Sequence, residues 1–94
     1  MVRYRVEPDQ VETNEALVRA VYAELAAKRP EGLRYETFKL DDGVTFVHLA
    51  FQEDGSPGLA SIDAFAEFQK DVRARCAEPP VVADVERVGG YGVA

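Results

Sequence analysis

LRYETFKLDDGVTFVHLAF, residues 33–51, is the stretch that decides the fold of this chain. Its two halves, Leu33 to Leu40 and Val44 to Phe51, are rich in β-branched and aromatic residues and predict two strands. Between them, Asp41-Asp42-Gly43 is typical of a tight turn, because Asp and Gly tolerate the backbone conformations that reverse a chain. The stretch therefore predicts an antiparallel β-hairpin.

A strand and a helix are predicted on the amino-terminal side of the hairpin. Residues 2–6 alternate strictly, so Val2, Tyr4 and Val6 share one face of a strand while Arg3 and Arg5 share the other. Apolar residues then recur at helical spacing, at Leu17, Val18, Val21, Tyr22 and Leu25. We expect this apolar stripe of the helix to pack against the face of the strand that carries Val2, Tyr4 and Val6.

A helix and a last strand are predicted on the carboxyl-terminal side. Residues 52–58 have the composition of a loop, and Ser61 is the expected N-cap of a helix that runs to about Ala77. Pro79-Pro80 enforces an extended chain, so we expect the last strand to run from Val81 through Val88. The whole order is βαββαβ. It predicts an α+β protein of the ferredoxin-like class, a single domain over residues 1–94, with a four-stranded antiparallel sheet and two helices on one face.

The predicted strand at residues 44–51 is apolar on both faces, although two helices cover only one face of such a sheet. A second copy of the same sheet is the simplest cover for the other face, since a twofold dimer buries the same apolar surface of both chains. The sequence therefore predicts a homodimer with its two sheets face to face.

Composition argues against several classes of function. Eleven basic against 17 acidic residues give a net charge of −6, which disfavours binding to a nucleic-acid backbone. The single cysteine, Cys76, allows no internal disulfide and no zinc site of the Cys/His type. No run approaches 18 apolar residues, and the first residues enter a strand pattern rather than a secretory segment. We expect a cytoplasmic protein with neither membrane nor nucleic acid as a partner.

The chain resembles the dimeric α+β barrel superfamily and, within it, the small antibiotic biosynthesis monooxygenase-like proteins. The resemblance covers nearly the whole chain and depends on the hairpin of residues 32–49, the acidic Gly/Pro loop after it, and the helix that contains Phe65-Ala66-Glu67-Phe68-Gln69. It implies a ferredoxin-like subunit, a barrel shared between two copies, and cofactor-independent oxidation of polycyclic phenols by oxygen. Other relatives degrade heme, act as small isomerases or have no assigned activity.

His48, the only histidine, is the candidate catalytic base. By alternation it shares a face with Phe46 and Ala50, and we expect this face to lie in the barrel, away from the helices. An imidazole accepts a proton near neutral pH, which suits abstraction from a phenol or an activated carbon. The alternative is a hydrogen-bonded strand histidine at an interface.

Four residues are candidates for ligand binding: Arg3, Arg5, Tyr35 and Phe46. An arginine of the first strand would stabilise developing negative charge, while Tyr35 and Phe46 would shape the walls of a pocket. The alternative for both arginines is cross-strand pairing with Asp84 and Glu86. Tyr35 could equally be a packing residue with a hydrogen-bonded hydroxyl.

The sequence also departs from the resemblance. It contains no tryptophan, and its one asparagine, Asn14, falls near the start of a helix, so the residue sets implied for quinone formation and for heme degradation do not map onto it. Scattered carboxylates show no spacing of metal ligands, and we expect neither a metal nor another cofactor. The sequence supports two functions: a cofactor-free monooxygenase acting on a small aromatic or polyketide-like substrate, or a noncatalytic homodimer that binds a small ligand or has a structural role.

Overall fold

The computed structural model describes residues 1–93 of the chain. Its strands are β1 (Val2–Val6), β2 (Leu33–Lys39), β3 (Thr45–Gln52) and β4 (Cys76–Val82). Its helices are α1 (Val11–Lys28), α2 (Asp63–Lys70) and α3 (Val72–Arg75), with single 3-10 turns at Pro8–Gln10 and Leu59–Ser61. The strands form one sheet in the order β2-β3-β1-β4, in which every neighbouring pair is antiparallel. This is an α+β architecture whose strand order fits a ferredoxin-like fold.

The predicted hairpin is confirmed, and Asp42 organises its turn. The Asp42 carboxylate accepts hydrogen bonds from the backbone N–H groups of Val44 and Thr45, both at 2.9 Å. Gly43 has a φ of +76°, a backbone conformation that residues other than glycine rarely adopt. Both residues thus reverse the chain between β2 and β3.

The core lies between one face of the sheet and the two longer helices. Its buried apolar residues come from β1, β3, α1, the loop before α2, and α2: Tyr4, Val6, Val21, Phe46, Ile62 and Phe68. The predicted stripe of α1 packs against this cluster through Leu17, Val18 and Leu25. The face of β1 that carries Val2, Tyr4 and Val6 therefore meets the helices, as expected.

The second predicted helix is shorter than the expected span to Ala77. It ends at Lys70, and α3 adds one further turn before the chain enters β4 at Cys76. Cys76 pairs with Val6 and Glu78 pairs with Arg5, so pairing with β1 makes these residues part of the sheet. Prolines 79 and 80 fit there because β4 is an edge strand, where one side of the backbone needs no hydrogen-bonded partner.

The last strand was expected at residues 81–88, but it ends at Val82. The reason is the length of its partner. Val2, the first residue of β1, pairs with Val82, and the N–H of Ala83 donates to the carbonyl oxygen of Met1 at 2.9 Å, so β4 ends opposite the start of β1. Residues 83–93 consequently follow the sheet without strand structure.

Candidate functional site

The register of the sheet places His48 on the helix-facing side, which corrects the expectation that it faces away from the helices. Val2 pairs with His48 and Tyr4 pairs with Phe46 across β1 and β3. Directly opposed residues of an antiparallel pair point to the same face. Because Tyr4 faces the helices, so do Phe46 and His48, and His48 retains only 5% of its accessible surface.

Both ring nitrogens of His48 are hydrogen-bonded to tyrosine hydroxyl groups. The Tyr4 hydroxyl lies 2.7 Å from Nε2, and the Tyr35 hydroxyl lies 2.5 Å from Nδ1. Thr37, directly opposite His48 on β2, places its Oγ1 3.1 Å from Nδ1 and 2.7 Å from the hydroxyl of Tyr22 on α1. Four residues from three elements thus fix the plane of the imidazole.

A buried arginine extends this hydrogen-bonded chain behind Tyr4. The side-chain nitrogen of Asn14 donates to the Tyr4 oxygen at 2.9 Å, and the Nε of Arg75 donates to Asn14 Oδ1 at 3.2 Å. Arg75 also donates to the carbonyl oxygen of Phe68 at 3.0 Å, with its guanidinium 5.2 Å from the centre of the Phe68 ring. Within residues 1–93 Arg75 forms no ion pair, although it is only 5% exposed. Among the described residues, neutral acceptors and a ring face therefore stabilise this cation in place of a carboxylate.

Burial determines the protonation state of the cluster. It lowers the pKa of His48 to about 4, and it raises the pKa of the Tyr4 hydroxyl to about 12. The pKa of the Tyr35 hydroxyl is raised for the same reason. At neutral pH the cluster therefore consists of one neutral imidazole between two neutral phenols.

Counting the hydrogens of this cluster shows what remains for a ligand. Tyr4, neutral His48 and Tyr35 carry one mobile hydrogen each, and only two of the three are used in the bonds Tyr4–His48 and His48–Tyr35. If Nδ1 carries the ring hydrogen, Tyr4 donates to Nε2 and the Tyr35 hydrogen is left for another acceptor, which can be the Thr37 hydroxyl or a ligand. If Nε2 carries it, the roles of the two tyrosines are exchanged. In either tautomer one phenol donates to the imidazole and the other has a hydrogen to offer.

A cavity of about 340 Å³ opens beside this cluster, between the sheet and α2. Tyr4, Tyr35 and His48 line one part of it. Its other walls are mainly apolar: Met1, Val2, Ala50, Leu59, Phe65, Phe68, Val72, Pro80 and Val82. Gln69 and Arg73 are the remaining lining residues, and both are exposed, which places them at its mouth. The volume is within the range of small-molecule sites.

The structure separates the residues that the sequence proposed as one site. Tyr35 and His48 both line the cavity. Phe46 is buried behind them, with its ring stacked on Tyr4 at a centroid distance of 5.6 Å. Arg3 and Arg5 lie on the opposite face of the sheet, so neither reaches a ligand in this cavity.

The alternative interpretation of the two arginines, pairing across β1 and β4, describes Arg5. Its guanidinium lies 2.8 Å from the carboxylate of Glu78. The expected partners Asp84 and Glu86 lie past the end of β4, where they have no strand partner. The ion pair therefore forms six residues earlier in the chain than Asp84, the nearer of the two expected partners.

Sequence reasoning missed two members of the cluster, Asn14 and Arg75. Asn14 was interpreted as part of the helix start, yet it is fully buried. Its position four residues before Val18 on the apolar stripe was the available signal. Arg75 falls within the helix that was expected to run to about Ala77, and no spacing in the sequence indicates that the chain turns at residue 76 and buries it.

Comparison with known proteins finds no matching family model, no matching curated protein and no matching solved structure. The resemblance to the antibiotic biosynthesis monooxygenase-like proteins therefore stays a prediction. Within the part of the chain that the structure describes, His, Cys, Asp and Glu side chains form no group of three or more that could hold a metal ion. None of the helices in residues 1–93 combines the length and apolar character that a membrane crossing requires.

Proposed function

We propose that this chain is a cofactor-free monooxygenase that binds a small aromatic phenol in the cavity beside His48. One observation carries the proposal: a neutral, buried imidazole is held between two phenolic hydroxyl groups, and all three residues line a largely apolar cavity. Aromatic rings on two sides of the cavity, Phe65 and Phe68 from α2 and Tyr35 from β2, favour a flat ligand.

The hydrogen inventory of the cluster gives the roles of its residues. One tyrosine hydroxyl takes the proton of the ligand while it passes its own hydrogen to the imidazole of His48. The other tyrosine donates to the oxygen on which negative charge develops. Burial opposes an isolated imidazolium, but the ligand anion formed in the same step compensates its charge.

Molecular oxygen is the oxidant in this proposal. A ligand with an activated ring CH₂ group gives, after loss of its proton, an electron-rich anion that O₂ oxidises. The ring carbon gains one oxygen atom as C=O, while its two hydrogens leave with the second oxygen atom as water. O₂ is apolar, and the apolar walls of the cavity suit it.

A noncatalytic role in ligand binding is the second candidate, and a specific observation favours it. Both nitrogens of His48 already have hydrogen-bond partners within the protein. A histidine held in this way can have a purely structural role, in which it keeps the polar residues of the core in place. Turnover of oxygen distinguishes the two candidates.

We also propose that two chains associate through the outer face of the sheet. Apolar residues of β2, β3 and β4 share this face: Phe38, Val47, Leu49, Phe51 and Val81. Phe38 is 51% exposed and Val81 is 63% exposed, so a second copy would remove considerable apolar surface from water. Arg34 and Glu36 lie on the same face of β2, so a twofold partner can oppose unlike charges.

The catalytic proposal is tested with a panel of bicyclic and tricyclic phenols, some with an activated ring CH₂ group. We expect consumption of one O₂ per product and, with ¹⁸O₂, one labelled oxygen atom in the product by mass spectrometry. His48→Gln should lower the rate at least 100-fold, the usual scale of general-base catalysis. Tyr91→Phe is the matched control, since Tyr91 is 99% exposed and lies outside the cavity.

Two results distinguish the candidates. If panel members bind but no oxygen is consumed, the noncatalytic role replaces the enzymatic one. If oxygen is consumed equally by the wild type and by His48→Gln, the assignment of His48 as the base is wrong.

A further inference from the structure

We infer that the ligand of the His48 cavity is an aromatic carboxylate, with its carboxylate at Arg73 and Gln69 and an oxygen substituent at the tyrosines. This inference rests on the proposed function, because it names the substrate class of the same site. It depends on the charges around the cavity and on the distribution of its polar groups.

The charge of the lining is opposite to the charge of the protein. The chain has 17 acidic residues and a net charge of −6, yet none of the acidic side chains lines this cavity. Its one charged lining side chain is that of Arg73. Arg73 forms no ion pair within residues 1–93, whereas Arg5 and Arg19 both do. A guanidinium without an ion-pair partner, at the mouth of a cavity with no other charged side chain, suits an anion.

A guanidinium and an amide make a selective mouth. Arg73 presents a planar fork of N–H groups that matches the two oxygens of a carboxylate, and Gln69 adds an amide donor. A second arginine, Arg75, does not line the cavity but is buried nearby in the Tyr4 hydrogen-bond chain, and it has no carboxylate partner among the described residues. A ligand anion would therefore enter a cavity whose one charged lining side chain is positive, and it gains from that charge.

The polar groups that line the cavity come from two layers of the fold. Tyr4, Tyr35 and His48 belong to the sheet, while Gln69 and Arg73 belong to α2 and α3. Apolar side chains, among them Phe65 and Phe68, provide the rest of the lining. A ring system with a hydroxyl or keto oxygen on one part and a carboxylate on another matches this distribution.

Matched pairs of ligands test the inference by binding alone. The probes are 6-hydroxy-2-naphthoate and its carboxamide, with 4-hydroxybenzoate and its carboxamide as a smaller pair. Affinities are measured under argon at pH 7 by isothermal titration calorimetry, so that no turnover occurs. We expect the acid of at least one pair to bind at least ten-fold more tightly than its amide.

The variants are Arg73→Gln and, as the matched control, Arg29→Gln, whose arginine is also exposed but does not line this cavity. Arg73→Gln should reduce the acid-to-amide affinity ratio about ten-fold and leave the binding of the amide unchanged. Arg29→Gln should leave both affinities unchanged. Both substitutions are at exposed positions, and circular dichroism verifies that each variant folds.

The outcomes separate this inference from the proposed function. Equal or tighter binding of the amides, or a ratio that Arg73→Gln leaves intact, overturns the carboxylate assignment while a phenol-binding site survives. An acid preference lost in Arg73→Gln supports the assignment even if the protein consumes no oxygen. Absence of binding for both pairs overturns the assignment and, with it, a cavity that accepts aromatic ligands.

Discussion

His48 is a buried base held in its neutral form, and its titration is directly observable because the chain has no other histidine. Burial lowers its pKa from 6.5 to about 4. We expect a single set of imidazole ¹⁵N resonances that titrates near pH 4 in the folded protein. A midpoint near 6.5 would show that the ring is exposed to water in solution.

The same shift makes the stability of the fold depend on pH. An unfolded chain protonates its histidine as the pH falls through about 6.5, while the folded chain resists protonation until about 4. The unfolded state therefore binds more protons in this window, so the free energy of unfolding decreases as the pH falls, by up to about 3 kcal/mol in all.

Urea unfolding at pH 7, 6 and 5 measures this effect. His48→Gln should remove most of the slope between pH 6.5 and 5. Glu24 and Asp42, whose pKa values are lowered in the folded state by hydrogen bonds, contribute mainly below this range. If the wild type and the variant show the same slope between pH 6.5 and 5, His48 is not the group responsible.

At the scale of elements, helix α2 is capped by a residue of another helix. Ser61 was the expected N-cap, but its hydroxyl donates to the carbonyl oxygen of Gly58 instead. The two carboxylate oxygens of Glu24 on α1 accept hydrogen bonds from the backbone N–H groups of Asp63 and Ala64, each with an N···O distance of 2.9 Å. Lys28, hydrogen-bonded to the same carboxylate, and these two N–H groups lower the pKa of Glu24 to about 2.

Replacing Glu24 should therefore destabilise α2 and its packing on α1. We expect Glu24→Ala to lower the melting temperature by about 4 to 8 °C, the effect of losing one helix cap in a domain of this size. The control is Glu67→Ala, because Glu67 is an exposed residue of α2 without an ion pair in the described chain. Equal melting temperatures for the two variants would contradict the capping role.

The carboxyl end of α1 stores backbone strain at Arg29. This residue has a φ of 48°, in the left-handed region, while its N–H donates to the Leu25 carbonyl oxygen at 2.7 Å. Glycine adopts this conformation without the clash of a Cβ atom.

Arg29→Gly should consequently raise the free energy of unfolding by up to about 1 kcal/mol, measured by urea titration. Arg29→Ala, which keeps the Cβ atom, should not stabilise the protein. A gain of the same size in both variants would show that the charge of Arg29, and not its backbone, was the cause.

At the scale of the whole molecule, the proposed association through the outer face of the sheet has a direct test. Sedimentation equilibrium of the wild type should give twice the mass of the chain. Leu49 lies near the middle of that face, so Leu49→Lys should shift the protein to a single chain by placing a charge in the interface.

The control for this test is Ala66→Lys, a charge added at an exposed position of α2 on the other side of the molecule. Ala66→Lys should sediment like the wild type. A wild-type mass of one chain at all concentrations, or a loss of association in both variants, would remove the support for this interface.

Much of the fold was predictable from local pattern because its signals lie close together in the chain. The alternation in β1, the turn at Asp42 and Gly43 and the apolar stripe of α1 all depend on neighbours within a few residues. The candidate site was predictable only in part: His48 and Tyr35 were named, but the face of His48 was wrong. Alternation groups His48 with Phe46, and only the pairing of β3 with β1 decides which way that group points.

By itself, the sequence determined the order βαββαβ, the hairpin and the face of β1 that meets the helices, since hydrophobic periodicity and turn chemistry act locally. The tertiary structure alone decided where β4 begins and ends, because the short partner β1 sets that limit. It also decided the cluster around His48, whose members Asn14 and Arg75 are 61 residues apart in the chain. Contacts at such separations depend on how strands and helices pack, and no local pattern encodes them.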